Sequence, residues 1–139
     1  MTELADTSVL ILARRDPAIG RLMDGPIRLG EIATCDVVEL EYLMGARHAT
    51  DYDAIVEALG GFKRLVTEPA DWARAREVHR ALAAMGPGYQ RSVRIPDLLI
   101  AAVAERHGVA VLHYDEDYDR IASVTGQPTR WVVPRGSTP

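Results

Sequence analysis

Cysteine is almost missing from this chain. The one thiol, Cys35, has no partner for an internal disulfide and cannot build a Cys-rich zinc site. It reads as a small buried hydrophobe. Lysine is as scarce, with Lys63 alone, and the formal net charge is −4. A simple electrostatic nucleic-acid binder would be basic over its binding face, whereas an enzyme whose acidic site is neutralised by metal ions is not excluded. No apolar run approaches the ~20 residues of a membrane span, and the N-terminal MTELADTSVL carries neither a basic flank nor a cleavage-type site. The expectation is a cytoplasmic protein with no membrane contact. There is no Walker loop, no GxGxxG, and no Ser/His/Asp or Cys/His arrangement that stands out. His48, His79, His107 and His113 share no metal-type spacing and read as surface or structural residues.

What is present is organised around Ile95 to Ile121, IPDLLIAAVAERHGVAVLHYDEDYDRI. Pro96 suits the first helical position, where its missing N–H costs nothing. Asp97 falls in the first turn, which favours a carboxylate. Leu98 to Ala104 is almost wholly apolar, so this helix should be buried on most sides. Gly108 supplies a left-handed C-cap. Val109 to Tyr114 is a short apolar run of the kind found in strands buried on both faces of a parallel sheet. At its carboxyl end come Asp115, Glu116, Asp117 and Asp119.

Upstream, Glu3 to Asp6 reads as a first strand, with Thr7 or Ser8 capping a helix that ends at Arg14 and Arg15. Asp16-Pro17 opens a short helix to about Met23, Asp24-Gly25-Pro26 is a turn, and Ile27 to Gly30 is a strand candidate. A helix from Cys35 or Asp36 to about His48 and another over Asp51 to Leu59 follow, the latter stopped by Gly60-Gly61. Phe62 to Val66 is a strand candidate. Pro69 or Asp71 starts a long helix to about Met85 with Trp72, Ala75, Val78, Leu82 and Met85 as its core stripe. Gly86-Pro87-Gly88 breaks it, and Tyr89 to Arg94 connects to the central stretch. A helix over Tyr118 to Val124 and a strand over Thr129 to Val133 close a domain of residues 1–134, leaving 135–139 as a frayed tail.

Strands separated by helices imply one α/β domain with a mostly parallel sheet and helices on both faces. Right-handed crossovers then bring the carboxyl ends of the strands to one edge, where ligands of such sheets bind. Asp6 and Asp115 should meet there, with Asp97 on the helix before the second of these strands. Carboxylates gathered without partners raise each other's pKa; they are tolerated if they hold a hard divalent cation such as Mg²⁺ or Mn²⁺. Such ions support phosphodiester hydrolysis. A fourth acid would come from the helix at Asp36 to His48. Glu39 and Glu41 lie about 200° apart on a helical wheel, and both faces are apolar enough to point inward, so periodicity leaves the choice open.

Together these residues resemble a PIN-domain ribonuclease, and more narrowly a VapC toxin of a bacterial toxin–antitoxin pair, over essentially the whole chain. Ala5-Asp6-Thr7-Ser8 matches the family's opening motif, Glu41 to Ala46 its second, Pro96-Asp97 with Ile100-Ala101-Ala102 its third, and Asp115-Glu116-Asp117-Tyr118 its fourth. The second match selects Glu41 over Glu39. His113 stands where Thr is common, and Tyr118 replaces the more usual Phe. The resemblance implies a PIN-like three-layer α/β/α sandwich. It also implies a catalytic Mg²⁺ (Mn²⁺ as a substitute) held by Asp6, Glu41, Asp97 and Asp115, with Asp117 as an outer or second-ion ligand. Thr7 or Ser8 would orient the first carboxylate. The implied activity is hydrolysis of RNA to 5′-phosphate and 3′-hydroxyl ends, in a homodimer silenced by a VapB-type antitoxin. Arg14, Arg15, Arg47, Arg91 and Arg94 are candidates for phosphate contacts, and Tyr89 for base stacking. The rivals are a catalytically inactive PIN-like binding module and a metal-dependent phosphatase on a related α/β fold, though the latter would need an Asp where Ser8 stands.

Overall fold

A computed structural model of the chain describes residues 1–138. Five strands form one all-parallel sheet in the order β3-β2-β1-β4-β5, where β1 is Glu3–Ala5, β2 Ile32–Thr34, β3 Lys63–Arg64, β4 Ala110–His113 and β5 Thr129–Trp131. The pairing sets Leu4 against Ala33 on one side and Val111 on the other, and Leu112 against Arg130. Seven helices connect the strands: α1 (Thr7–Arg15), α2 (Pro17–Arg28), α3 (Asp36–Leu43), α4 (Ala49–Leu59), α5 (Pro69–Ala83), α6 (Ile95–His107) and α7 (Asp117–Thr125). This is the expected α/β/α arrangement.

The order of the strands decides where a site can form. The chain builds outward from β1 to β3, then returns to the other side of β1 to lay down β4 and β5. The direction of winding therefore reverses between β1 and β4, and a crevice opens outside the carboxyl ends of these two strands. Asp6 directly follows β1, and Asp115 lies two residues beyond β4. The strands that set this edge are fixed by burial: Leu4, Ala5, Ala33, Val111 and Leu112 are at most 1% exposed. Helix α6 lies against them with every residue from Leu98 to Ala104 buried, as its unbroken apolar run requires. Gly108 ends it at φ 68°, a left-handed conformation that a side chain would strain.

Four local expectations are corrected. The turn at Asp24-Gly25-Pro26 and the strand at Ile27 to Gly30 are instead the end of α2, and the second strand lies at Ile32–Thr34. Pro26 removes one helical donor, a cost of about 3 kcal/mol. Ile19, Met23 and Ile27 recur every fourth residue on the face turned to the core; burying Ile19 and Met23 contributes about 1.5–3 kcal/mol each, and the partly buried Ile27 adds to this. Burial wins. The helix expected to reach His48 stops at Leu43, because His48 caps α4 by accepting the Asp51 N–H at its Nδ1, 3.2 Å away. The strand at Phe62 to Val66 contracts to Lys63–Arg64.

The core stripe of α5 is the fourth. It runs through Asp71, Ala75, Val78 and Leu82, leaving Trp72 60% and Met85 52% exposed. Asp71 takes the inward position because Arg106 of α6 donates to both of its oxygens, at 2.8 and 3.0 Å. The described part of the C-terminal tail is tied down: Arg135 pairs with Glu116, and the Gly136 N–H donates to the Tyr114 hydroxyl at 3.0 Å. Pro139 lies outside the described residues.

Candidate metal centre

Asp6 is the N-cap of α1, which aims its carboxylate out of the end of β1 into the crevice. Oδ2 accepts the Ser8 N–H at 3.0 Å and the Ser8 hydroxyl at 2.6 Å. The Ser8 Oγ in turn accepts the Tyr114 N–H at 3.0 Å, so one serine locks the ends of β1 and β4 together. Thr7 donates to Oε1 of Glu41 at 2.9 Å, and Arg94 donates to its Oε2 at 2.6 Å. The opening Asp-Thr-Ser thus positions two acids, Asp6 through Ser8 and Glu41 through Thr7.

Asp97 sits in the first turn of α6 with only 1% of its surface exposed. Its Oδ2 has no hydrogen-bond partner, and its Oδ1 has only a long 3.4 Å contact from the Tyr118 hydroxyl. Burial, then the Asp117 side chain and the charges of Asp6 and Asp115, push its pKa up to about 9. Asp115 accepts the Asp117 N–H at 2.9 Å and its pKa is also raised, mainly by burial, with the charges of Asp117 and Asp6 adding to it. Asp117 is better satisfied: Oδ2 accepts the Arg94 N–H and Oδ1 a guanidinium N–H of Arg120, both at 3.0 Å.

Every acid of the expected set reaches the same crevice. Asp6, Glu41 and Asp97 form one group in which one oxygen from each lies within 4.8 Å of the others; Asp97, Asp115 and Asp117 form a second. Asp97 belongs to both. Glu39, the other candidate of α3, points away and is spent on structure, accepting the Thr34 hydroxyl at 2.8 Å and Arg64 at 2.8 and 2.5 Å. None of the four histidines enters either group among the described residues. Cys35 is fully buried and its thiol is pushed up to about 11, chiefly by that burial.

Two residues noted in the sequence only as departures from the resembled family's pattern shape the site. Tyr118 is wholly buried and donates its hydroxyl to Oδ1 of Asp6 at 2.6 Å, so it stands between Asp6 and Asp97. Its place in the acidic loop, where Phe is the more usual residue of the resembled family, was the only signal. His113 is also fully buried, stacked against Tyr118 and Trp131 with ring centroids 5.0 and 4.9 Å away. Burial lowers its pKa, and its Nδ1 accepts the Asp115 N–H at 3.2 Å, fixing the backbone that carries this acid.

The arginines separate. Arg94 alone of the five candidates touches the acids of the crevice. Arg14, Arg15 and Arg47 line a shared hollow together with Ile11, Tyr42 and Gly45, and none of the three bonds to an acid of the crevice. The Arg91 guanidinium lies beside Gly88. Tyr89 is partly buried against the core, which disfavours its use as a stacking platform.

An oxygen-only set with an unpartnered buried carboxylate oxygen fits a hard divalent cation, since a buried anion without partners is costly and an ion repays that cost. The class is thus an α/β protein with an all-carboxylate cluster, suited to a metal ion, at the switch point of its sheet. The comparisons with known proteins say which. The PIN-domain profile matches residues 4–124. Ribonuclease VapC18 of Mycobacterium tuberculosis is 45% identical over 137 residues, 99% of each chain. Ribonuclease VapC51 of the same organism is 42% identical over 134 residues, 96% of this chain and 95% of that one. Solved structures with the same fold include VapBC2 from Rickettsia felis bound to a promoter DNA fragment. That match has a TM-score of 0.71 and 13% identity, and covers 94% of this chain and 99% of the other. DNA-bound VapBC from Salmonella typhimurium gives a TM-score of 0.71 at 15% identity, over 96% of this chain and 100% of the other. The chain belongs to the PIN-domain family, and within it to the VapC ribonucleases. PIN nucleases use a divalent metal, and the buried acids here are the residues suited to it.

Proposed function

We propose that the chain is the ribonuclease toxin of a toxin–antitoxin pair, acting in the cytoplasm on RNA by Mg²⁺-dependent endonucleolytic hydrolysis. Asp6, Glu41, Asp97 and Asp115 would hold the Mg²⁺, Asp117 would serve a second or outer position, and Mn²⁺ would substitute. The observation that carries this reading is the unpartnered Oδ2 of Asp97, buried where the two carboxylate groups meet. When bound, the ion supplies a nucleophilic water near neutral pH and charge neutralisation at the leaving oxygen. The protein supplies orientation. Ser8 and Tyr118 fix both oxygens of Asp6, Thr7 fixes one oxygen of Glu41, and the Asp117 N–H fixes one of Asp115. Ser8 also weighs against the phosphatase alternative: it occupies the position that would need an acid/base Asp, and its hydroxyl is committed to Asp6.

The relatives at 45% and 42% identity are named ribonucleases, and the VapBC structures that share the fold are toxin–antitoxin complexes. A VapB-type antitoxin and a second copy of this chain are accordingly the expected partners. Among the described residues, no helix is long and apolar enough to cross a membrane. Purified chain, freed of antitoxin and incubated with total bacterial RNA, should cut it in Mg²⁺ and leave it intact in EDTA, with 5′-phosphate and 3′-hydroxyl ends. Cutting undiminished by EDTA would refute the metal reading.

A further inference from the structure

Arg94 stands apart from every other cation of the molecule. It is the N-cap residue of α6, and its backbone N–H is anchored to Oδ2 of Asp117 at 3.0 Å. From this fixed base its side chain crosses the mouth of the crevice to Oε2 of Glu41, 2.6 Å away. That side chain is 61% exposed, whereas the Glu41 side chain it meets is only 13% exposed. The guanidinium is therefore at the boundary between the buried acids and solvent, with one face committed to an acid and the rest free. Of the acids in the two groups, only Glu41 and Asp117 are bonded to guanidinium groups, and Arg120 on Asp117 is held a second time by Glu116 at 2.7 Å. Arg120 is clamped by its own helix; Arg94 is clamped only through Glu41.

We infer that Arg94 is a substrate-phosphate ligand that rests on Glu41 until metal and RNA arrive, and so acts with opposite sign on the two. A cation on Glu41 competes electrostatically with a divalent ion beside it, because like charges a few ångströms apart repel even when partly solvated. Once the ion neutralises Glu41, the freed guanidinium is at the solvent edge of the centre, with a planar fork of donors suited to the non-bridging oxygens of a phosphodiester. The fixed backbone of Arg94 keeps that fork within reach of the acids. This inference rests on the ribonuclease reading above and adds to it a residue that binds the substrate.

The test compares the unaltered chain with Arg94→Ala and Arg94→Lys by two readouts. Mg²⁺ binding is measured by calorimetry without RNA, and cleavage of total bacterial RNA is followed over a range of RNA concentrations at saturating Mg²⁺. Because the side chain is largely exposed, both variants should melt close to the unaltered chain. Arg94→Ala should bind Mg²⁺ roughly threefold to tenfold more tightly, the scale of a screened charge interaction with a divalent ion. It should lose about tenfold to a hundredfold in kcat/KM, the scale of a charge-assisted hydrogen bond. Arg94→Lys, a point charge without the fork, should recover only part of the cleavage. Metal affinity and cleavage falling together would make Arg94 a mere support for Glu41 and overturn the inference. Tighter metal binding with unchanged cleavage would overturn it too, as would no change in either. An unaltered chain that binds Mg²⁺ but cuts no RNA would instead refute the ribonuclease reading, and the phosphate role with it.

Discussion

Removing one oxygen atom, in Tyr118→Phe, tests how the centre is held together before any metal binds. The ring is wholly buried, and its hydroxyl donates to Oδ1 of Asp6 at 2.6 Å. The other oxygen of Asp6 keeps both Ser8 donors, so the carboxylate loses one of three hydrogen bonds. A hydrogen bond to a charged group contributes about 1.5–3 kcal/mol, and phenylalanine fills the same space without it. The ring contacts with His113 and the core are kept. The metal-free variant should therefore lose about 2 kcal/mol, which for a domain of this size lowers Tm by roughly 8 °C. Thermal unfolding followed by circular dichroism in EDTA gives the value directly. If Tyr118→Phe melted at or above the temperature of the unaltered chain, the hydroxyl would be a burden rather than a brace, and the account of how Asp6 is positioned would fail.

Two further predictions separate structural from functional acids. Glu39→Gln should weaken the pairing with Arg64 and cost about 1–2 kcal/mol of stability while leaving Mg²⁺-dependent cleavage intact; Glu41→Gln should do the reverse, which melting and cleavage assays run side by side would show. Away from the site, Asp71 is almost completely buried. Burial, the largest influence, would raise its pKa, but Arg106 and the Glu68 N–H outweigh it and hold the carboxyl below its ordinary value. A folded pKa below the unfolded one contributes stability that is present above the unfolded value of about 3.8 and is lost as pH falls through the folded value. Asp71→Asn should thus cost about 3 kcal/mol at neutral pH, as breaking a buried pair does, and shrink toward no cost in strong acid. A loss independent of pH, read from urea unfolding at several pH values, would contradict the ion-pair account.

Much of this was legible in the sequence because its signals were periodic or terminal. The apolar run of α6, its Gly108 cap and the acids after two apolar strands need only local rules, and they place Asp6, Asp97 and Asp115 correctly. What escaped depended on tertiary partners. Glu39 and Glu41 lie on opposite faces of the helix, both apolar enough to point inward; the family motif chose Glu41, but the physical reason, Arg64 on β3 holding Glu39 and Thr7 on α1 holding Glu41, appears only in the fold. Trp72 fits a core stripe by hydrophobicity, yet Asp71 takes the inward place because Arg106 meets it from another helix. Pro26 reads as a turn until the burial of Ile19 and Met23 is weighed against it. Tyr118 is 112 residues from Asp6 in sequence, and no local pattern announces a hydroxyl aimed at a carboxylate that far away.

On the reading proposed above, Asp97 is kept unpaired and buried to hold metal, at the expense of stability. Its raised pKa, about 9 against an ordinary 3.8, means that the metal-free fold binds a proton which the unfolded chain releases, so its presence destabilises increasingly as pH rises above about 4. Asp97→Asn keeps the shape, cannot ionise, and offers an amide that can donate to the neighbouring carboxylates. The most direct measurement is to melt this variant in EDTA at pH 7.5 and assay the same preparation on RNA in Mg²⁺. The expected result is a Tm several degrees above that of the unaltered chain together with loss of cleavage. A variant that melts lower, or that still cuts RNA in Mg²⁺, would contradict it.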